Sequence, residues 1–340
     1  MNKKRILLTG SNGYIGNALL SRLMAEDYFV VAVDNASRHA WVQEVGGRSL
    51  THYKPFAFLN FNLNDFNDVA KAVFYSQPEV IIHLASQPSG PYSEINSAHR
   101  AFTIQNNVGM LEALLNCCHD WELKPKFIVT TTTGIPGAPD EPIIEGYVPN
   151  AAGSEYHMTR GWDSDNLRLA VKQWKLNVLE LRTSIVYGTR IYGCDFPMTR
   201  LDWDFWFGTF IHRACLMAKM NKSVKIYGKG LQKKPFISLR DTVQSIINAI
   251  EYPVEGHVIM NQTIGALQIA ETAKKIGKVE HIPNPRIENE EHQMIIHNEK
   301  FMKLLGREPS NFDEDIAWIK NDIDLTLLPE NWEVAYNGKK

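Results

Sequence analysis

Short apolar runs of strand length alternate with longer amphipathic stretches through the first half of the chain. The pattern predicts five strands, over residues 5–8, 29–33, 80–84, 127–131 and 177–181. Apolar residues at helical spacing predict the helices between them, over residues 16–25, 66–76, 100–119 and 155–174. Such alternation is typical of βαβ units around a parallel sheet. We therefore expect an α/β fold built on a Rossmann-type, doubly wound parallel sheet.

The pattern loosens after residue 187 and indicates a second, smaller lobe. The predicted features there are an aromatic-rich segment at 201–210, a helix at 209–220, a strand at 224–227, a helix at 241–251 and a polar loop at 282–291. The helix at 241–251 is expected to return to the main domain.

The length of the chain also favours two unequal units, because a single hydrophobic core stops growing at roughly 250–300 residues and the chain has 340. We predict a main domain of residues 1–187, to which residues 235–262 return. Residues 188–234 and 263–330 are predicted to form the smaller C-terminal lobe.

Charge and composition narrow the classes of partner. The net charge is -2, from 36 basic and 38 acidic side chains, and no dense Lys/Arg block is present, so no nucleic acid is expected. The apolar stretch near the start is too short for a signal peptide or a membrane span, and we expect a cytoplasmic protein without membrane contact. The four cysteines lack the spacing of metal ligands, so no metal is expected.

A glycine motif, TGSNGYIG, directly follows the first predicted strand and opens the first predicted helix. Gly10 permits a tight turn, Gly13 lets the backbone approach a pyrophosphate, and Gly16 allows close packing of helix on strand. The pattern predicts a dinucleotide site with contacts from Gly10, Asn12, Gly13, Tyr14, Ile15 and Gly16.

The second predicted strand ends in Val33 and Asp34, where a carboxylate can accept hydrogen bonds from an adenosine ribose. Asp34 favours NAD, because its negative charge repels the additional phosphate of NADP, although Arg38 nearby weakens this argument slightly. The other predicted cofactor contacts are Asn35, Arg38, Asn62, Leu63, Leu84, Ala85 and Ser86.

A candidate chemical site combines Thr131 to Thr133, at the end of a predicted strand, with Tyr156 on the following predicted helix. A phenol has an ordinary pKa near 10, so it needs a nearby cation to exchange protons with a substrate hydroxyl near neutrality. Arg160 lies four residues after Tyr156, which is one helical turn.

Together, the glycine motif, Asp34, the threonine cluster and the Tyr-x-x-x-basic pattern resemble the extended short-chain dehydrogenases/reductases, the nucleotide-sugar epimerase/dehydratase family. The resemblance covers nearly the whole chain. It implies NAD, a nucleotide-sugar substrate bound by the C-terminal lobe, a transient 4-keto sugar and a homodimer. Further stretches, including LDWDFWFGT, IYGKGLQ, LRDTVQ and NPRIENEEH, resemble the UDP-sulfoquinovose synthases of that family. They imply a UDP-hexose such as UDP-glucose, with sulfite or another nucleophile as a second substrate.

The resemblance assigns roles residue by residue. Thr132 would hold the sugar hydroxyl, Tyr156 would be the acid/base, and Arg160 would stand where the family has Lys, so that Tyr156 and Arg160 also contact the cofactor. His157 matches the sulfoquinovose-type pattern. The predicted ligands of the nucleotide phosphates are Lys234 and Arg286.

Two alternatives stay open at this point. A UDP-sugar 4-epimerase or another nucleotide-sugar-modifying enzyme fits the same motifs. A non-catalytic NAD or nucleotide-sugar sensor would need the cofactor turn and not the phenol, and Arg160 in place of Lys keeps it open. Classical 4,6-dehydration is disfavoured because Thr133 and Gly134 stand where that reaction uses an Asp-Glu pair. An elimination and readdition in this chain would need another base, and His157 and His99 are the candidates.

Overall fold

The computed structural model of the chain describes residues 3–26, 28–38, 57–137, 139, 141–283 and 293–338. Within these ranges the strands are β1 (Arg5–Thr9), β2 (Phe29–Asp34), β3 (Ala57–Asn60), β4 (Val80–His83), β5 (Lys126–Thr132), β6 (Asn177–Thr183), β7 (Ile185–Tyr187), β8 (Val224–Tyr227), β9 (Lys233–Ser238), β10 (His257–Gln262), β11 (Ala266–Gln268) and β12 (Val279–Ile282).

The helices of the same ranges are α1 (Tyr14–Ala25), α2 (Phe66–Ser76), α3 (Gly90–Ser93), α4 (Ser97–Asp120), α5 (Glu155–Trp174), α6 (Phe210–Lys219), α7 (Leu239–Glu251), α8 (Ile269–Ile276), α9 (Glu299–Leu305), α10 (Phe312–Asp322) and α11 (Trp332–Asn337). The 3-10 turn Leu325–Leu327 precedes α11. None of the described helices is long and apolar enough to cross a membrane.

Seven parallel strands form the main sheet in the order β10-β6-β5-β4-β1-β2-β3. After β1 the chain adds β2 and β3 on one side, and it then returns to add β4 on the other side of β1. The strand order therefore reverses between β1 and β4, and a ligand is expected at the carboxyl ends of these two strands. The predicted Rossmann-type sheet is confirmed, with all five predicted strands in it. The pattern did not predict β3 and β10 as strands, since each lies at an edge of the sheet and lacks a long apolar run.

Both faces of the sheet are covered by helices. Alternate residues of a strand point to opposite faces, so Ile6 and Leu8 pack with α1, α7 and α9, whereas Leu7 packs with α2, α4 and α5. All three side chains are fully buried. Burying each one contributes about 1.5–3 kcal/mol, which explains why these strands are continuous apolar runs.

A separate hydrophobic core lies in the C-terminal part and joins Tyr187, Ile211 and Phe236 with Trp203 of the aromatic-rich segment. It is built by the small sheet β11-β9-β7, the pair β12-β8, and helices that include α6, α8 and α10. The helix predicted at 209–220 corresponds to α6, and the strand predicted at 224–227 is β8. Helix α7 packs on α1, next to the main sheet.

One boundary in this region was wrong. The sequence pattern places Ile282 at the start of a loop, but Ile282 ends strand β12 and pairs with Tyr227 of β8. A short strand that ends next to a proline carries too little pattern to be recognised. Most of the predicted loop lies outside the described residues.

Replacing Gly16 by Ala is expected to lower the free energy of unfolding by about 1–3 kcal/mol. A Cβ at Gly16 would lie 2.0 Å from the carbonyl oxygen of Gly10, so the helix would have to move away from the turn. Urea denaturation measures the change. Gly153→Ala is the control, because among the described residues no heavy atom lies within 4 Å of its added Cβ. Equal stability of the two variants would contradict the tight packing at Gly16.

Candidate active site

The glycine turn after β1 lies directly against the end of β4. Gly10 has a φ of 71°, and a Cβ there would lie 2.6 Å from the backbone nitrogen of Ala85 and 2.7 Å from the carbonyl carbon of Leu84. The Gly13 amide donates to the Gly10 carbonyl at 3.0 Å. The structure therefore brings the predicted glycine motif together with the predicted 84–86 segment at one point of the sheet edge.

Helix α1 begins without a side-chain cap. Gly13 occupies the cap position, and the first turn contains no acidic residue. Unpaired amides and the positive end of the helix dipole favour an anion at this position. The Tyr14 hydroxyl donates to the Gly188 carbonyl at 2.5 Å, and Ile15 packs against the core. Both residues were predicted to contact the cofactor. Their side chains instead stabilise the fold, so only their backbone groups are available to a cofactor.

Asp34 is held by two backbone amides at the end of β2. Its Oδ2 accepts from Asn12 at 2.9 Å and its Oδ1 accepts from Ala36 at 2.7 Å. Burial raises the pKa of the Asp34 carboxyl, while the two amides act in the opposite direction. The neighbouring Asn35 accepts from the Ser37 amide at 3.1 Å, so its side chain stabilises the turn.

The segment Asn62–Leu63 serves the local structure in two ways. The Asn62 side chain accepts from the Asn64 amide at 3.2 Å, and the Asn62 amide donates to Asp68 of α2 at 3.1 Å. Leu63 is 3% exposed and belongs to the hydrophobic core. Their predicted contacts with the cofactor stay predictions.

The structure brings Thr132, Tyr156 and Arg160 into contact. The Tyr156 phenol lies close enough to the side chains of Thr132 and Arg160 for both to act on its pKa. Thr132 is the last residue of β5, and Tyr156 lies in the first turn of α5, whose cap is Ser154. Arg160 lies near Tyr156 because the two residues are one helical turn apart on α5. Thr132 lies near Tyr156 because α5 packs against the end of β5.

Arg160 also pairs with a residue that the sequence pattern did not single out. Its Nη1 lies 2.5 Å from Oδ2 of Asp163, and the two side chains are 3% and 0% exposed. Burial raises the pKa of the Asp163 carboxyl to about 7, against the effect of Arg160. The spacing of three residues within a predicted helix could have indicated that Arg160 and Asp163 pair. The sequence did not indicate that both side chains are buried.

The pKa of the Tyr156 phenol is raised above its ordinary value. Burial is the largest cause, and the charge of Asp163 adds to it, whereas Arg160 and the nearby Thr132 hydroxyl lower the pKa. The sequence predicted that Arg160 favours the phenolate, and the guanidinium does act in that direction. Its effect is outweighed because the phenol is enclosed and Asp163 offsets part of the cation's charge.

A buried carboxylate supports this site from the adjacent strand. Glu180 of β6 accepts from Thr131 at 2.7 Å and from Ser164 at 2.8 Å, and it lies 2.9 Å from His257 and 3.2 Å from Arg182. Burial alone would raise the pKa of Glu180, but the bond with His257 and the charge of Arg182 bring it to about 2. These contacts hold α5 against the end of β5.

His157 lies beside this site as a neutral imidazole. Its Nδ1 is 2.7 Å from the Ser154 hydroxyl, and burial, together with the charge of Lys234, lowers its pKa to about 4. Gly134 leaves the room for the ring, since a Cβ there would lie 2.4 Å from His157 Cδ2. Lys234 of β9 is thus close enough to influence the site electrostatically.

The remaining predicted residues are Arg286 and His99. Arg286 lies outside the described residues. His99 bonds with Asn96 at 2.8 Å and packs edge-on against Tyr92, with the two ring centroids 4.6 Å apart. Among the described residues, no group of three or more His, Cys, Asp or Glu side chains could hold a metal ion.

Asn107, in the QNNV stretch, is a further residue to which no role was assigned from the sequence. It is fully buried, and its side chain bonds with both backbone groups of Gln87 and with Thr159, at 2.7 to 3.1 Å. It thereby ties α4 to α5 and to the segment after β4.

Comparison with known proteins identifies the class. The model of the NAD dependent epimerase/dehydratase family matches residues 6–265. The chain belongs to this family. The predicted family is confirmed, and with it an enzyme that uses NAD.

Among curated proteins, the chain is 28% identical to the chloroplastic UDP-sulfoquinovose synthase of Spinacia oleracea, over 99% of this chain and 77% of that protein. It is 29% identical to the UDP-sulfoquinovose synthase of Sulfolobus acidocaldarius, over 94% of this chain and 92% of that protein.

Solved structures agree with the fold. A UDP-glucose 4-epimerase of Thermotoga maritima with UDP-glucose has a TM-score of 0.77 at 21% identity, over 93% of this chain and 97% of that chain. A UDP-glucuronic acid 4-epimerase of Bacillus cereus with UDP-glucuronic acid and NAD has a TM-score of 0.72 at 22% identity, over 93% of this chain and 99% of that chain.

Replacing Asp163 by Asn is expected to lower the pKa of the Tyr156 phenol, because it removes a negative charge that opposes ionisation. Tyrosinate absorbance is titrated in each protein and in its Tyr156→Phe counterpart, and the difference isolates Tyr156. The substitution also leaves Arg160 without its carboxylate, so the free energy of unfolding in urea is expected to fall by about 3 kcal/mol.

Asp165→Asn is the matched control, since Asp165 lies on the same helix in a pair with Arg168 and is exposed. It is expected to leave the Tyr156 titration in place and to change the free energy of unfolding by less than about 0.5 kcal/mol. If Tyr156 titrates at the same pH in both variants, Asp163 does not act on the phenol.

Proposed function

We propose that the chain modifies a UDP-sugar with NAD, through transient oxidation of the sugar at C4. The observation that carries this proposal is the contact of Tyr156 with both Thr132 and Arg160 at the carboxyl edge of the parallel sheet. The glycine turn lies at the same edge. A proton-transfer group is thereby combined with a dinucleotide site, as the family requires.

The residues at the glycine turn fit NAD. The uncapped start of α1 would hold the pyrophosphate, and Gly10, Gly13 and Gly16 leave the space that side chains would fill. Asp34 would accept the hydroxyls of the adenosine ribose. Bound NAD would accept a hydride from the sugar carbon and return it later, so the cofactor would be regenerated within each turnover.

The chain's own residues would move the proton that accompanies this oxidation. Thr132 would hold the sugar hydroxyl, and the phenolate of Tyr156 would take its proton. Because burial raises the pKa of Tyr156, the phenol must first ionise, and the Arg160 guanidinium favours that ionisation. The proton would return to the sugar oxygen from Tyr156 when the carbonyl is reduced again.

Sulfite is proposed as the second substrate, on the strength of the two UDP-sulfoquinovose synthases among the relatives. Replacing the hydroxyl at C6 by sulfite would release water and leave no net oxidation. His157 is a candidate for accepting a proton near the sugar, because its lowered pKa leaves the imidazole neutral, although the same shift makes it a weaker base. Lys234 and Arg286 stay proposed ligands of the nucleotide phosphates.

The alternatives are weighed by the same contacts. A 4-epimerase needs only Thr132, Tyr156 and the cofactor site, so it is the second candidate, distinguished by its product. A sensor would have no use for the bonded phenol, and the retained contacts with Arg160 favour an enzyme.

We also propose a homodimer formed through α4 and α5. The two helices pack side by side, and their exposed apolar side chains, Phe102, Trp162 and Leu169, offer a surface for a second copy. A cytoplasmic location stays a prediction.

Replacing Tyr156 by Phe is expected to lower turnover about 10²–10⁴-fold, because positioned proton transfer contributes about that factor. The NAD content of the purified protein is expected to stay unchanged, since the phenyl ring keeps the shape of the site. Turnover is followed by chromatography of the nucleotide sugar. Wild-type turnover in the variant would remove Tyr156 from the mechanism.

Incubation with UDP-glucose, with and without sulfite, tests the substrate. A product heavier by one sulfite and lighter by one water is expected by mass spectrometry in the sulfite sample alone. The Tyr156→Phe variant serves as the control and is expected to form almost none of it. A UDP-hexose of unchanged mass but new retention time in both samples would instead identify a 4-epimerase.

A further inference from the structure

The adenosine end of the proposed cofactor site contains an arginine that would ordinarily suit NADP. Arg38 follows Asp34 by four residues, at the end of the turn after β2. A guanidinium there can bind the additional phosphate of NADP. In this structure the guanidinium lies 3.7 Å from the centre of the Phe207 ring, and its Nη2 donates to Oδ2 of Asp202 at 3.0 Å.

A second arginine lies beside the same carboxylate. Arg200 is 10% exposed, and its Nη1 donates to the carbonyl of Asn12 at 3.4 Å. The amide of Asn12 donates to Asp34. Asp34 therefore binds the amide of Asn12, and Arg200 binds its carbonyl. Both side chains lie at the part of the glycine turn where the ribose phosphate of NADP would bind.

Asp202 joins the two arginines. It is 8% exposed, with Oδ2 bonded to Arg38 and Oδ1 3.2 Å from Nε of Arg200. Burial would raise the pKa of its carboxyl, but Arg38 and Arg200 outweigh burial and keep it below the ordinary value. Asp202 comes from the segment between β7 and α6, which is far along the chain from Asp34.

We propose that Asp202 is a second determinant of the preference for NAD over NADP, because it withholds Arg38 and Arg200 from the ribose phosphate of NADP. Asp34 repels that phosphate, and Asp202 removes the two cations that would otherwise compensate. The cofactor preference then depends on the C-terminal part of the chain as well as on the end of β2. This inference concerns the family's cofactor and holds whichever sugar is the substrate.

The proposal makes the effect of Asp34 conditional on Asp202. In Asp34→Ser the repelling charge is gone but both arginines stay engaged, so acceptance of NADP is expected to rise little. In Asp34→Ser/Asp202→Asn both guanidinium groups become available to a phosphate. The share of NADP is then expected to rise about tenfold or more over the single variant, because hydrogen bonds between charged groups are the strong ones.

The experiment measures binding and not turnover. Each protein is freed of nucleotide with charcoal, incubated with equal concentrations of NAD and NADP, and passed over a gel-filtration column. The ratio of NADP to NAD retained is determined by chromatography. Asp34→Ser/Asp204→Asn is the matched control, because Asp204 lies on the same segment and its charge also acts on Arg38, whereas its side chain accepts the amides of Trp206 and Phe207. Its ratio is expected to stay well below that of Asp34→Ser/Asp202→Asn.

A further variant does not depend on how well Asp202→Asn folds. In Asp34→Ser/Arg38→Met, Asp202 is intact and Arg38 is already withheld, so the ratio is expected to stay within about twofold of Asp34→Ser. A much lower ratio would show that Arg38 is available while Asp202 is present, and would overturn the proposal. Equal ratios in Asp34→Ser and a folded Asp34→Ser/Asp202→Asn would overturn it as well.

Discussion

The buried charge of Arg160 is the constraint on which the site depends. A guanidinium removed from water must be compensated by nearby acceptors, and here Asp163 and the Tyr156 hydroxyl supply them. This compensation also contributes to the acidity of Tyr156 beside the larger effect of burial, because the carboxylate that stabilises Arg160 opposes ionisation of the phenol. An arginine at this position is therefore inseparable from its acidic partner.

A similar balance of charges holds the other end of the proposed cofactor site. Arg38 and Arg200 lie beside Asp34 and are compensated by Asp202. In both clusters a carboxylate pairs with an arginine. Without Asp163, Arg160 could act more strongly on the Tyr156 phenolate, and without Asp202, Arg38 could bind a phosphate more strongly. The strength of each cation thus depends on its acidic partner, and the C-terminal part of the chain contributes Asp202 to the proposed dinucleotide site.

The strands that the pattern predicted are those buried on both faces, such as β1 with Leu7 and Leu8, because full burial demands a continuous apolar run. The strands that it missed are short or lie at an edge, apart from β9, which is the central strand of the small sheet. Half of β3 is exposed, and β9 contains a proline and two lysines, so neither has the composition of a buried strand. Their pairing depends on neighbours that a local pattern does not contain.

The sequence by itself determined the groups whose geometry is local. The glycine turn, Asp34 at a strand end, and the spacing of Tyr156 and Arg160 are set within one turn or one helix. Only the tertiary structure decided what compensates these groups. Asp202 reaches Arg38 across 164 positions of the chain, and Asp163 acquires its effect through burial. Such contacts depend on how distant elements pack, and packing alone decides which charges lose their water.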